Sequence, residues 1–312
     1  MVKNKNIIQY LQDYGSFIAL IFLVVVISII SPDFRTVNNF LSLLRQSAIN
    51  GLIAFGMTCI ILTGGIDLSV GSVLALTSII CAHTIKIGLP APLSMLIALI
   101  FGIILGTISG LMVTKSRLQP FIATLITMTG YRGLTMILSG GRPISRLGDN
   151  FLLNQIGKGS LIGIPIPVWI LIIFFAIFLF VLKKTVLGRQ IYATGSNSKA
   201  AELAGINTNN IKLIVYAVSG FMASLSGLIL VSRLGSAQPT LGSGYELDAI
   251  AAVALGGTSM TGGRGKITGT LIGILIIAVL NNGLNIIGVS SYYQDVVKAL
   301  VIFLAVISDR NR

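Results

Sequence analysis

Long apolar segments recur from one end of the chain to the other, and this recurrence restricts the possible folds more than any other feature. A membrane-spanning helix needs about 20 mostly apolar residues, and several of these segments are shorter than that. They are long apolar runs without regular alternation, whereas the strands of a membrane β-barrel alternate over about ten residues. The pattern predicts an all-α polytopic membrane protein. We place ten segments at residues 16–31, 48–63, 68–85, 91–114, 120–138, 165–182, 212–232, 247–259, 267–287 and 294–308.

The composition leaves too few polar residues to cover a water-exposed surface. Only 10% of the residues are charged, against about 25% in a soluble domain. All eight prolines lie between segments or at the start of one, where the first-turn amides have no partner within the helix. We therefore treat residues 1–312 as one transmembrane domain of about ten spanning helices, of which the eighth, 247–259, is the shortest.

The basic residues indicate an orientation rather than a nucleic-acid partner. The net charge is +13, but Lys and Arg are scattered between the apolar segments and form no basic face. Cytoplasmic loops of membrane proteins carry an excess of Lys and Arg. Placing the loop at about 183–211 in the cytoplasm puts thirteen basic residues inside and seven outside. This arrangement predicts that both termini are cytoplasmic.

The chain shows no pattern typical of a catalytic or metal-binding site. The glycine-rich stretch 263–269 is not a phosphate-binding loop, because Ile267 follows Lys266 where Ser or Thr is required. His83 is the only histidine, and a single histidine does not form a metal site. The neighbouring acids Glu246 and Asp248 have no nucleophile or base nearby in the sequence. We predict no catalytic residue, no metal site and no cofactor on this chain.

Polar residues beside or within the apolar segments are candidates for a transport pathway. Asp67 separates the second and third segments, where it either caps a helix start or contributes to a gate. No acidic residue falls in the middle of a predicted span, where ion-coupled transporters usually keep such groups. Buried amides need partners in lipid, so the asparagines either join helices or line a polar path. The candidate pathway residues are Asn50, Asp67, Asn281, Asn282 and Asn285.

The loop at about 183–211 contains a short predicted helix. Residues 198–204 are helix-forming, with Asn197 or Ser198 as the cap and Gly205 as the stop. A short helix on the cytoplasmic face suits docking into a groove on a partner protein. The alternative is an ordinary connecting loop.

Glycines recur in two informative patterns. The pattern TGG-x5-G-[ST] occurs at 63–72 and again at 261–270, 198 residues later, which indicates either common helical turns or a duplicated re-entrant element. Gly102, Gly106 and Gly110 share one helical face, as do Gly269 and Gly273. Such spacing predicts close packing of helices, within the chain or with a second copy.

Long stretches of the sequence resemble one family of transporters. Residues 46–76, QSAINGLIAFGMTCIILTGGIDLSVGSVLAL, and residues 245–300 are similar to the ribose/xylose/arabinose/galactoside permease family of ABC importers. Residues 232–263 and 281–294 are most similar to its ribose-transporting members. The AAELAGI stretch resembles the coupling element of ABC permeases and keeps Ala200, Ala201 and Gly205. Lys199 replaces the acid that opens the usual motif, which puts an interaction of that acid in doubt.

The resemblance implies a complete transport assembly around this chain. It implies a homodimer with the vitamin-B12-type (type II) fold in a bacterial plasma (inner) membrane, joined to ATPase domains that are often fused in tandem. ATP and Mg would bind to that ATPase partner, and an extracytoplasmic sugar-binding protein would deliver the sugar. The residues implied in coupling to the ATPase are Ala200, Ala201, Glu202 and Gly205.

Two other functions stay open at this stage. A secondary transporter or passive facilitator for a small polar solute would have no need of the docking loop. An intramembrane enzyme would need a carboxylate or basic cluster at one membrane face.

Overall fold

The structure, a computed structural model, describes residues 7–116, 118–148 and 150–310, and it describes the backbone alone for 7–14, 302 and 304–310. Thirteen α-helices occur in these residues, with a short 3-10 helix at Pro32–Arg35. The helices are α1 (Ile7–Ile30), α2 (Val37–Leu62), α3 (Val70–Lys86), α4 (Ala91–Thr114), α5 (Pro120–Ser139), α6 (Phe151–Lys158), α7 (Ile166–Lys184), α8 (Val186–Ser196), α9 (Ser198–Leu203), α10 (Thr208–Leu234), α11 (Tyr245–Leu255), α12 (Ile267–Ile286) and α13 (Ser291–Arg310).

Each of the ten apolar segments lies mainly within a separate helix, which confirms a polytopic helical membrane protein. Among the described residues, six helices are long and apolar enough to cross a membrane: α2, α4, α5, α7, α10 and α12. Two shorter apolar helices are Gly15–Ile30 and Val70–Lys86. Proline starts the helices as predicted, since α5 begins at Pro120 and proline is the second residue of α4 and α7.

Four two-residue strands lie in the connections around α6 and α10. They are β1 (Ile144–Ser145), β2 (Ser160–Leu161), β3 (Ile164–Pro165) and β4 (Ser236–Ala237). Strands β2 and β3 form a hairpin, and β1 pairs antiparallel with β4, with Ile144 opposite Ala237. The β1–β4 pair joins the connection between α5 and α7 to the end of α10.

Helix α10 lies at the centre of the bundle, packed most extensively against α4 and then against α2 and α3. The glycine face of α4 makes this packing possible. A Cβ on Gly106 would overlap the carbonyl oxygen of Tyr216, and one on Gly102 would lie 2.7 Å from the carbonyl oxygen of Gly220. Both are closer than side chains tolerate, so only glycine lets the two backbones approach this far. The packing predicted for these glycines is confirmed and lies within the chain.

The eighth segment differs from an ordinary spanning helix. Helix α11 has eleven residues, which rise about 16 Å, roughly half of the hydrocarbon thickness. The chain before it passes back into the bundle, because Gly242 packs against Gly71 and Leu74 of α3. The other end of α11 packs against α12, where Gly256 contacts Gly269. This arrangement of an irregular stretch followed by a short helix resembles the discontinuous helices of transporters.

Candidate functional site

The predicted short helix of the cytoplasmic loop is present as α9 and is bounded by local signals. The side chain of Asn197 accepts a hydrogen bond from the backbone N–H of Ala200 at 3.0 Å, which caps its start. At its end, the N–H of Gly205 donates to the carbonyl of Glu202 at 2.9 Å, and that of Ile206 donates to the carbonyl of Ala201 at 3.0 Å. This pair of bonds is a Schellman motif, and it requires the left-handed φ of +84° that Gly205 adopts.

The structure distinguishes the outward and inward faces of α9. Ala201 is buried, whereas Ala200, Glu202 and Gly205 are exposed. Leu203 is 91% exposed, although burial of a leucine side chain is favourable by about 1.5–3 kcal/mol. The pattern of the sequence did not single out Leu203, because a lone leucine in a six-residue helix has no periodicity to mark its direction.

Helix α9 is tied to the central helix of the bundle. The hydroxyl of Thr208, the first residue of α10, donates to the carboxylate of Glu202 at 2.5 Å. The carboxylate also lies where the N-terminal dipole of α10 favours negative charge. A displacement of α9 therefore acts directly on α10.

Asp67 lies in the unwound stretch between α2 and α3 and is 1% exposed. Its carboxylate accepts hydrogen bonds from the N–H of Ser69 at 2.8 Å and from the Ser69 hydroxyl at 2.6 Å. Ser69 occupies the N-cap position of α3. Asp67 thus holds the entry to α3 through Ser69 without being the cap residue itself.

A chain of hydroxyl groups extends from this stretch across the neighbouring helices. The hydroxyl of Tyr216 on α10 donates to the carbonyl of Ile66 at 2.9 Å. The hydroxyls of Ser69 and Ser109 lie 3.3 Å apart, and that of Ser109 donates to Thr127 at 3.1 Å. Ser69, Ser109 and Thr127 are buried, and these bonds satisfy their hydroxyl groups within the protein. Sequence reasoning missed the serine and tyrosine members, whose only signal is a polar group inside an apolar segment.

Two further charged side chains approach the same region. Arg132 on α5 donates to the backbone carbonyls of Pro239 at 2.7 Å and Leu241 at 2.9 Å, which fixes the irregular stretch before α11. The carboxylate of Glu246 lies against Gly71 at the start of α3. The lack of an acid in the middle of any predicted span therefore does not mean that acids are absent from the interior. That argument against ion coupling loses its force.

The three asparagines of α12 each form a hydrogen bond with a residue of another helix. Asn281 donates to Asp248 at 3.5 Å, and Asn282 exchanges two hydrogen bonds of 3.0 and 2.8 Å with Asn39 on α2. Their bonds support the interpretation that these amides join helices. Asn285 accepts from Gln294 of α13 at 2.8 Å. The buried Oδ1 of Asn50, on α2, has no hydrogen-bond partner among the residues that the structure describes.

An ion pair extends this amide cluster to α13. The Nζ of Lys298 lies 3.3 Å from the carboxylate of Asp248, whose side chain is 10% exposed. Within the described ranges, no three His, Cys, Asp or Glu residues lie together in a way that could hold a metal ion. Cys59 and Cys81 are buried free thiols. The arrangement can hold charges and hydrogen bonds between helices.

Comparisons with known proteins agree on one family. The family described as branched-chain amino acid transport system / permease component matches residues 39–306. The ribose import permease protein of Haemophilus influenzae is 54% identical over 315 residues, covering 99% of this chain and 98% of that protein. The ribose import permease protein of Bacillus subtilis is 53% identical, with 97% of this chain and 94% of that protein covered. The D-allose transport system permease protein of Escherichia coli is 39% identical, with 99% and 94% covered. No solved structure is similar enough to count as a match.

Proposed function

The chain belongs to the family of branched-chain amino acid transport system permease components, and we propose that it is the transmembrane subunit of an ABC importer for ribose. One observation carries the proposal: identity above 50% along nearly the whole chain to ribose import permeases of two distant bacteria. The lower identity to the D-allose permease, 39%, favours ribose over D-allose. The chain is a permease and not an enzyme, and ATP is hydrolysed on a separate subunit.

We infer that the chain moves ribose by alternating access between the two sides of a bacterial inner membrane. A sugar-binding protein delivers ribose outside, and the ATPase partner, which holds ATP and Mg, acts on the cytoplasmic loop. The chain forms no covalent bond with the sugar. Its coupling residues are Ala200, Ala201, Glu202 and Gly205, with Leu203 added because its side chain projects outward from α9.

The wider architecture follows from the same proposal. Two copies of the chain form a homodimer of the type II importer fold, with about ten spanning passages in each copy and both termini in the cytoplasm. Six helices long and apolar enough to cross a membrane and two shorter apolar helices, among the described residues, support a multi-pass arrangement. We count the short helix α11 and the irregular stretch before it, which packs against α3, as one passage. The ATPase domains are expected as a tandem pair in one chain.

The pathway proposal concerns the buried polar groups. We place the gate at Asp67 and its hydroxyl neighbours rather than at the asparagines, since Asp67 lies where two helices are interrupted. Asn281, Asn282 and Asn285 join helices in this conformation. They would face the sugar only in a conformation that breaks these bonds.

Uptake of labelled ribose tests the proposal. A bacterial strain without its own ribose permease is given this chain together with an ATPase and a ribose-binding protein. ATP-dependent uptake that excess unlabelled ribose suppresses, and that D-allose or leucine suppresses less, is the expected result. Uptake that persists with an inactive ATPase would instead identify a passive facilitator. Uptake suppressed best by leucine would place the chain with amino acid permeases.

The coupling residues have their own test in the same strain. Gly205→Pro should abolish uptake without blocking membrane insertion. Proline cannot adopt the φ of +84°, and it has no N–H to donate to the carbonyl of Glu202. Gly88→Pro is the matched control, since Gly88 ends α3 with the same pair of bonds at a φ of +95°. Equal uptake by the two variants would remove the coupling role of α9.

A further inference from the structure

The two copies of the TGG pattern, far apart in sequence, meet in the fold. The N–H of Gly263 donates to the carbonyl of Leu62 at 2.9 Å, and a Cβ on Gly262 would lie 3.0 Å from the Cα of Gly64. Gly64, Gly262 and Gly263 have φ of +77°, +91° and +72°, which side-chain-bearing residues rarely adopt. The end of α2 and the connection from α11 to α12 are thus in direct backbone contact.

The end of α8 is seated in the same contact. A Cβ on Gly195 would overlap the carbonyl oxygen of Leu62 and lie 2.6 Å from the nitrogen of Gly263. A Cβ on Gly263 would lie 2.7 Å from the Cα of Ser196. The hydroxyl of Tyr192 donates to the carbonyl of Gly265 at 2.9 Å. We name residues 62–65, 195–196 and 261–263 the glycine junction.

The position of the glycine junction connects the two candidate regions of the molecule. On one side, Ser196 is followed by Asn197, the residue that caps α9. On the other, Gly64 is followed within three residues by Asp67, which holds the entry to α3. The three backbones meet directly at these glycines, with the small hydroxyl of Ser196 beside Gly263, and tightly packed interiors transmit strain because they compress little.

We propose that the glycine junction transmits the movement of α9 to the interrupted helices at Asp67, and that Gly195 and Gly263 are positioning residues for transport. This inference depends on the proposed ATP-driven import. A rigid contact moves the stretch before α3 and the connection after α11 together, so both breaks change at once when the ATPase displaces α9. The repeated TGG pattern supplies the two surfaces that meet there, with glycine needed on each for backbone contact.

The test measures ribose transported per ATP hydrolysed. The complete complex of permease, ATPase and binding protein is placed in vesicles, and the wild type is compared with Gly195→Ala. In the Gly195→Ala complexes that assemble, we expect ATP hydrolysis to continue while ribose per ATP falls by about 2- to 30-fold, the range given for residues along such coupling contacts. Gly130→Ala on α5 is the matched control, because a Cβ there meets open space.

A second variant covers the case in which Gly195→Ala does not assemble. Tyr192→Phe removes only the hydroxyl that bonds to Gly265, and it should lower the ratio of ribose to ATP by less than Gly195→Ala. A wild-type ratio in an assembled Gly195→Ala complex would overturn the inference, as would a wild-type ratio in Tyr192→Phe when the alanine variant fails to assemble. If the wild-type complex itself shows no ATP-dependent ribose uptake, the proposed function fails and the inference falls with it.

Discussion

Replacing Leu203 with serine should weaken binding of the ATPase subunit by about 10- to 100-fold. The side chain is 91% exposed in the isolated chain, so docking into a groove would bury nearly all of it. Burial of a leucine is favourable by about 1.5–3 kcal/mol, and each 1.4 kcal/mol is about a factor of ten in affinity. The stability of the permease alone should change by less than about 0.5 kcal/mol, because the side chain has few contacts to lose.

The assay measures affinity of the purified ATPase for the permease in lipid nanodiscs, alongside thermal unfolding of the permease alone. Leu161→Ser is the matched control, since Leu161 is another exposed leucine, 57% exposed, in the connection that we place outside the cell. Equal ATPase affinity in the two variants would refute the assignment of α9 as the docking element. A large loss of stability in Leu203→Ser would refute the statement that this side chain is free.

Three further predictions concern the packing and charges of the bundle, each checked by thermal unfolding of the purified permease. Gly106→Ala should destabilise the permease strongly because its Cβ would overlap α10, while Gly130→Ala should be near neutral; similar midpoints for the two would contradict the α4–α10 contact. Asp67→Ala should cost about 1–3 kcal/mol, since two buried donors lose their acceptor, and Asp67→Asn should cost less; the reverse order would show that the charge matters more than the bonds. Lys298→Met should destabilise the permease, because the buried carboxylate of Asp248 loses its cation. Adding Asp248→Asn should restore stability. A double variant as unstable as Lys298→Met alone would argue against the ion pair.

Local features of the molecule were predictable from the sequence. The apolar segments became separate helices, because apolar length and proline position act over a few residues and need no knowledge of the rest of the chain. Asn197 caps the start of α9 and Gly205 ends it, as predicted, because helix caps depend on adjacent backbone groups. The glycine face of α4 predicted close packing, although only the structure identified α10 as the partner.

The burial of the acids lay beyond what the sequence could indicate. Asp67 lies between two apolar segments in the sequence, yet its side chain is buried in the structure. It accepts a hydrogen bond from Ser69, and the hydroxyl of Tyr216 donates to the carbonyl of the preceding residue, Ile66. Asp248 is buried and Glu246 is half-buried at the start of α11, because this short helix packs against α2, α12 and α13. A hydropathy pattern assigns depth by assuming that each helix crosses fully, and that assumption fails for interrupted helices.

The sequence by itself determined that this chain is a helical membrane protein of a recognisable permease family, since both conclusions depend on composition and on contiguous motifs. Only the tertiary structure decided that the two TGG stretches touch each other and the end of α8, and which face of α9 is free. The reason is physical: contacts between residues 198 positions apart depend on how every intervening helix packs, and no short-range pattern carries that information.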